Sequence, residues 1–78
     1  MLPLNINNTQ LKNLEKSAVG KDFIKHYPYV PSADKMLDYR LALQDLLELP
    51  FEHKEYPDDW VKSEIKAVDT IMDLHHSK

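Results

Sequence analysis

The chain has 78 residues, no cysteine, one glycine and a formal net charge of −3. A chain of this length is one domain at most, and the lack of cysteine excludes disulfides, thiol chemistry and cysteine-ligated zinc. No apolar run approaches the roughly 20 residues of a membrane span, and the first residues lack the basic and apolar regions of a signal peptide. We therefore expect a cytoplasmic protein that has no membrane partner.

The charge is distributed unevenly along the chain. Residues 1–31 carry four lysines against two acids, giving +2, whereas residues 32–78 carry six basic residues against eleven acids, giving −5. Proteins that bind nucleic acid concentrate basic residues on one face, because their affinity comes from neutralising phosphates. Four dispersed lysines do not form such a face, so a nucleic-acid partner is not expected.

The N-terminal third of the chain predicts a short arm followed by a helix. The stretch "LPLNINN" alternates apolar residues with others, which favours an extended arm over residues 1–7. Asn8 and Thr9 are both candidate N-caps, since their side-chain oxygens can accept bonds from the first helical N–H groups. The apolar spacing that follows predicts a helix over about 9–26. Gly20 either ends this helix or lies inside it.

The middle of the chain predicts a connector and a second helix. Two prolines three residues apart favour extended geometry before the helix. Ser32 is the next N-cap candidate, and the helix is expected over about 32–49, ending before Pro50. Its core face is predicted to consist of Met36, Tyr39, Leu43, Leu46 and Leu47. Leu37 and Leu41 lie one turn apart among the charged residues on the other side.

The acidic, proline-containing segment after Pro50 predicts a loop and then a third helix. Pro57 suits the first position of a helix over about 57–74, with Asp58 and Asp59 near its positive end. The residues from Trp60 onward give this helix a broad apolar arc. The sequence thus predicts an all-α fold: a small three-helix domain over residues 1–78, with a short extended N-terminal arm, which self-association could complete.

The sequence contains no pattern that is typical of catalysis or ligand binding. A single glycine excludes a Gly-rich phosphate loop, and the serines lack a nucleophile context. We therefore expect no enzyme activity, no cofactor and no small-molecule substrate.

His75 and His76 point about 100° apart on a helix, and the pair Asp73–His76 falls short of a complete metal site. The acidic residues Glu55, Asp58 and Asp59 also lack the alternating ligand pattern of a calcium-binding loop. No metal is expected.

Two exposed leucines favour an interaction surface on the second helix. Leu37 and Leu41 leave apolar surface that a three-helix monomer does not cover, unless the arm residues Leu2, Leu4 and Ile6 cover it. Aromatic residues beside an arginine are typical of binding hot spots. The predicted partner-binding residues are Leu37, Tyr39, Arg40, Leu41, Tyr56 and Trp60.

Residues 37–60 contain the stretch "DYRLALQD", followed by the acidic, Pro-containing stretch "EHKEYPDDW". This segment resembles part of the phage tail-fibre assembly proteins and tail assembly chaperones. In these families a Tyr-Arg-x-Ala-Leu segment precedes an acidic, Pro-containing stretch with a tryptophan near its end. The matching residues are, in order, Tyr39, Arg40, Ala42, Leu43, Asp45, Tyr56, Pro57 and Trp60. The family's Trp-Pro step is Trp60-Val61 here, and a further predicted helix follows the segment.

This resemblance implies a non-catalytic phage or mobile-element protein in the host cytoplasm. Such a protein would act as an assembly chaperone or adaptor that keeps a fibre or tail polypeptide soluble until assembly. The residues themselves leave two alternatives open: a structural subunit that forms a helical homo-oligomer, and a small inhibitor of a host protein. Each function requires a protein partner or another copy of the chain, with the apolar face of the second helix as the expected contact.

Overall fold

The structure, a computed structural model, describes residues 6–26 and 29–76, and side chains up to residue 74. These residues form α-helices and one 3-10 turn, without any strand: α1 (Asn8–Glu15), α2 (Ala18–His26), α3 (Ala33–Glu48), the turn Phe51–His53 and α4 (Asp58–His76). The predicted all-α class is confirmed. The helices predicted over about 32–49 and 57–74 correspond to α3 and α4, and residues 1–5 of the predicted arm lie outside the described part.

The first predicted helical segment consists of two helices instead of one. α1 begins after Asn7, so the N-cap is Asn7 and neither of the predicted candidates, Asn8 and Thr9. Asn7 Oδ1 accepts a bond from the Gln10 N–H at 2.8 Å, and Gln10 Oε1 accepts one from the Asn7 N–H at 3.0 Å. This reciprocal capping box satisfies two N–H groups at the start of α1. Ile6, which precedes it, packs against the hydrophobic core.

The chain turns between α1 and α2 at a second capping residue, Ser17. The buried Ser17 hydroxyl accepts a bond from the Gly20 N–H at 2.9 Å, and the Ser17 carbonyl accepts one from the Lys21 N–H at 3.0 Å. These two bonds place Ser17 at the N-cap of α2. The spacing Ser-x-x-Gly is therefore the local signal for the division, because Ser17, two residues after the end of α1, caps a new helix that begins at Ala18.

Gly20 allows the two short helices to approach each other closely. It lies inside α2 and is buried against the last turn of α1. A Cβ atom at this position would lie 2.5 Å from Leu14 Cα and would overlap the Leu14 carbonyl oxygen. Because the obstructing atoms belong to the backbone, no side-chain rotation relieves the overlap. The glycine is thus required by packing and does not end a helix.

α4 is the helix on which the other three pack. α1, α2 and α3 each lie against it, whereas the backbone of α3 lies close to α4 alone. The core consists of Leu14, Phe23, Met36, Leu43, Val61, Ala67, Val68, Ile71 and Leu74. Since α3 is attached along one side only, its opposite side has no helix against it among the described residues.

The ends of α3 and α4 follow local sequence signals. Ser32 is the N-cap of α3, as predicted, and its hydroxyl accepts a bond from the Lys35 N–H at 3.3 Å. α3 ends at Glu48, before Pro50. α4 begins at Asp58, one residue later than predicted, because the Pro57 carbonyl accepts the first helical bond from the Val61 N–H at 3.1 Å. No helix among the described residues is long and apolar enough to cross a membrane.

We predict that Gly20→Ala destabilises the protein even though alanine is the better helix former. Helix propensity favours the change by about 1 kcal/mol, but overpacking against a backbone costs about 1–3 kcal/mol and here exceeds that gain. Urea denaturation should show a lower midpoint with an unchanged m-value. The control is Ala42→Gly at an exposed position in α3, where only propensity acts and about 1 kcal/mol should be lost. A Gly20→Ala variant more stable than the wild type would contradict the close approach.

Candidate interaction surface

The outward side of α3 carries the two leucines that the sequence singled out. Leu37 is 46% exposed and Leu41 is 51% exposed. They are one helical turn apart, whereas Met36 and Leu43 of the same helix are buried in the core. The structure therefore brings the two leucines together on a surface that the described helices leave uncovered.

Acidic residues surround these leucines. Successive residues of an α-helix are rotated by about 100° around its axis. By this rule, four exposed acids of α3 lie with Leu37 and Leu41 on one side of the helix, within an arc of about 100° of its circumference. They are Asp34, Asp38, Asp45 and Glu48. We call these six residues the α3 outer face. The nearest exposed base on α3, Lys35, lies outside this arc, so the face combines apolar surface with a negative border.

Arg40 points toward α4 and is engaged there. Its Nε donates a hydrogen bond to Asp69 Oδ1 at 2.8 Å, forming an ion pair between α3 and α4. The hydrogen bond and the charge of Asp69 raise the pKa of Arg40 above its ordinary value. Arg40 thus lies at the edge between the helices, beside the α3 outer face and not on it.

Tyr39 is half-buried, and its hydroxyl is directed into the protein. It donates a hydrogen bond to Glu64 Oε1 at 2.8 Å. Burial, followed by the hydrogen bond and the charge of Glu64, raises the pKa of Tyr39 well above its ordinary value. The predicted partner-binding pair Tyr39 and Arg40 is therefore used to attach α3 to α4 through Glu64 and Asp69.

Glu64 is the polar centre of the fold. Its carboxylate is fully buried, and it also accepts bonds from the backbone N–H groups of Ala18 at 2.7 Å and Val19 at 3.2 Å. These are the first N–H groups of α2, where the helix dipole favours a negative charge. Sequence reasoning missed Glu64. The available signal was an acid at helical spacing within the apolar stripe of Val61, Val68 and Ile71.

The remaining predicted residues lie at the loop and the start of α4. The rings of Tyr56 and Trp60 stack with centroids 4.9 Å apart and planes inclined by 20°. Trp60 packs against the core, while Tyr56 is 45% exposed. A shallow concavity of about 640 Å³, bordered by Tyr56 and by Phe51, opens beside this stack. Sequence reasoning missed Phe51, whose signal is an aromatic side chain directly after Pro50 and outside any helical pattern.

The described residues contain no group of three or more His, Asp or Glu side chains placed to hold a metal ion. Comparison of the chain with protein-family models, with curated proteins and with solved structures found no match. The functional argument therefore depends on the geometry of the surfaces described above.

We predict that Glu64→Gln is severely destabilising, because a neutral amide cannot replace a carboxylate that accepts three bonds. The loss should be about 3 kcal/mol or more, since hydrogen bonds to charged groups contribute about 1.5–3 kcal/mol each. Tyr39→Phe alone should cost about 1–2 kcal/mol, and the double variant should cost less than the sum, measured as a double-mutant cycle by urea denaturation. Asp69→Asn, at an exposed ion pair, is the control and should have a much smaller effect. Strict additivity would show that Tyr39 and Glu64 are not coupled.

We predict a loss of stability at alkaline pH that depends on Tyr39. Tyrosine ionises near pH 10.0 in an unfolded chain, and the folded state raises the pKa of Tyr39 above that value. The folded protein then holds the proton more tightly, so this stabilising contribution is complete below pH 10 and is lost as the pH rises further. Urea midpoints at pH 9, 10 and 11 should fall more steeply for the wild type than for Tyr39→Phe. Equal slopes would contradict the assignment.

Proposed function

We propose that this protein is a non-catalytic interaction module that binds a partner polypeptide through the α3 outer face. The observation that carries the proposal is the exposure of Leu37 and Leu41 on a helix whose backbone lies close to α4 alone. Exposed leucines at helical spacing are how one helix recognises the apolar face of another segment. The acids around them add a charge requirement to that apolar contact.

The energetics favour a contact that forms and dissociates readily. Complete burial of a leucine side chain contributes about 1.5–3 kcal/mol, and both leucines are already about half buried. Together they supply about 2 kcal/mol, which is far below the free energy of a tight complex. The acidic border would contribute mainly orientation, partner choice and association rate. A partner segment with apolar residues flanked by basic ones matches this face best.

The segment that resembles phage tail-fibre assembly proteins supports an assembly chaperone or adaptor as the specific form of this module. Under this proposal, the α3 outer face covers an aggregation-prone segment of a fibre or tail polypeptide and releases it during assembly. Of the residues that match the family segment, Tyr39 and Arg40 fix the rotation of α3 through Glu64 and Asp69. Leu37 and Leu41 would then make the contact.

A homo-oligomeric subunit is the second candidate, and the charge distribution favours it. Four exposed lysines belong to the positively charged residues 1–31: Lys12, Lys16, Lys21 and Lys25. The α3 outer face of one copy is complementary in charge to this part of another copy. Such a contact joins two different surfaces, so it would generate a ring or an open filament.

The test of the proposed function is the double variant Leu37→Glu with Leu41→Glu. We expect it to fold like the wild type, since both side chains are exposed, and to lose at least tenfold in binding or chaperone activity. The measurement is the light scattering of an aggregation-prone phage tail-fibre polypeptide with and without the protein. The control, Lys35→Glu, changes the net charge by the same −2 on the same helix and should retain activity.

Sedimentation velocity separates the two candidates. If the wild type remains a monomer and suppresses aggregation through the two leucines, the chaperone is supported. If the wild type and Lys35→Glu form oligomers but the double variant is a monomer, the structural subunit is supported. Should the double variant behave as the wild type in both measurements, the α3 outer face is not an interaction surface.

A further inference from the structure

The most exposed large apolar side chain among the described residues lies outside the α3 outer face. Phe51 is 91% exposed. It opens a 3-10 turn in which the His53 N–H donates to the Pro50 carbonyl at 2.9 Å and the Lys54 N–H donates to the Phe51 carbonyl at 3.2 Å. The turn fixes the backbone at Phe51, so its ring is presented to solvent by an ordered segment.

A second aromatic ring borders the same concavity. Tyr56 stacks on Trp60 at a centroid distance of 4.9 Å, and Trp60 in turn packs against the core. The stack holds the Tyr56 ring in place while leaving it 45% exposed. Phe51 and Tyr56 thus supply two aromatic surfaces to one open groove of about 640 Å³.

The groove carries negative charge that no described residue neutralises. Glu52, Glu55 and Asp59 line it, and none of their carboxylates has a hydrogen bond or ion pair within the described residues. The base that lines the groove, Lys54, donates to Asp58 at 2.7 Å and to the Leu47 carbonyl at 2.9 Å. Lys54 is therefore already engaged, and three free carboxylates remain beside two aromatic rings.

We propose that this 51–59 groove binds an arginine-bearing segment of a partner protein. A guanidinium group satisfies both parts of the groove, because it stacks on aromatic faces and pairs with carboxylates through its planar fork of N–H donors. An ammonium group fits less well, since it is a compact and strongly hydrated charge. An apolar residue next to the arginine would cover Phe51. This surface is distinct from the α3 outer face and does not require that face to bind.

The test uses the full-length, ¹⁵N-labelled protein and a capped tetrapeptide, acetyl-Ala-Leu-Arg-Ala-amide. Matched peptides carry citrulline, lysine or glutamate in place of arginine. Citrulline keeps the planar shape of the group but is uncharged, because a carbonyl oxygen replaces one terminal nitrogen. We expect the arginine peptide to shift the amide signals of residues 51–59 and the indole signal of Trp60. Binding should be at least fivefold weaker with lysine and undetectable with citrulline or glutamate.

Two variants with a matched control locate the site. Phe51→Ser, and separately Glu52→Gln with Glu55→Gln, should each weaken binding at least fivefold, and their exposed positions leave the fold unchanged. Asp45→Asn with Glu48→Gln removes the same two negative charges from the α3 outer face and should leave binding within twofold of the wild type. This comparison separates a local site from general attraction to an acidic protein.

Three outcomes would overturn the inference. Equal affinity for the arginine and citrulline peptides would show that charge recognition is absent. Shifts confined to residues 33–48 would place the binding on the α3 outer face, which removes this inference and leaves the proposed function standing. The third outcome is that the protein without peptide self-associates and that Phe51→Ser abolishes this self-association. A second copy of the chain would then be the occupant of the groove.

Discussion

The buried carboxylate of Glu64 determines how the helices are arranged. It lies on α4 and accepts hydrogen bonds from the first N–H groups of α2 and from the Tyr39 hydroxyl of α3. A buried carboxylate without such donors would be strongly unfavourable, so its hydrogen bonds fix where α2 begins and how α3 is rotated. Once Tyr39 faces inward, Leu37 must face outward, since side chains two residues apart on a helix point about 160° away from each other. The exposed leucines therefore follow from the interior polar contact.

Polar contacts as well as apolar ones organise the interior. A chain of 78 residues without cysteine has a limited core and no disulfides to reinforce it. Ser17 caps α2, and Gly20 lets α2 approach α1 closely. Glu64 accepts hydrogen bonds from the first backbone N–H groups of α2, which have no partner within that helix. Each contact depends on the other two, because each positions the same helix end.

The α3 outer face and the 51–59 groove have the same chemistry in different geometry. Both combine exposed apolar side chains with carboxylates, the first on a convex helix and the second in a concave loop. A convex apolar face suits the side of another helix, whereas a groove suits a single side chain and its neighbours. Both surfaces would attract the same class of basic, partly apolar partner, and long-range attraction to an acidic surface would speed the encounter.

Local signals in the sequence determined the helical class, the start of α3 at Ser32, its end before Pro50 and the burial of Met36 and Leu43. Each of these depends on residues within one or two helical turns. The close approach of α2 to α1, the role of Glu64 and the hydrogen-bond partner of the inward-facing Tyr39 were decided only by the tertiary structure. The reason is that Glu64 meets Ala18 across 46 positions of the chain and Tyr39 across 25, and no local pattern encodes which distant backbone groups a buried carboxylate will meet.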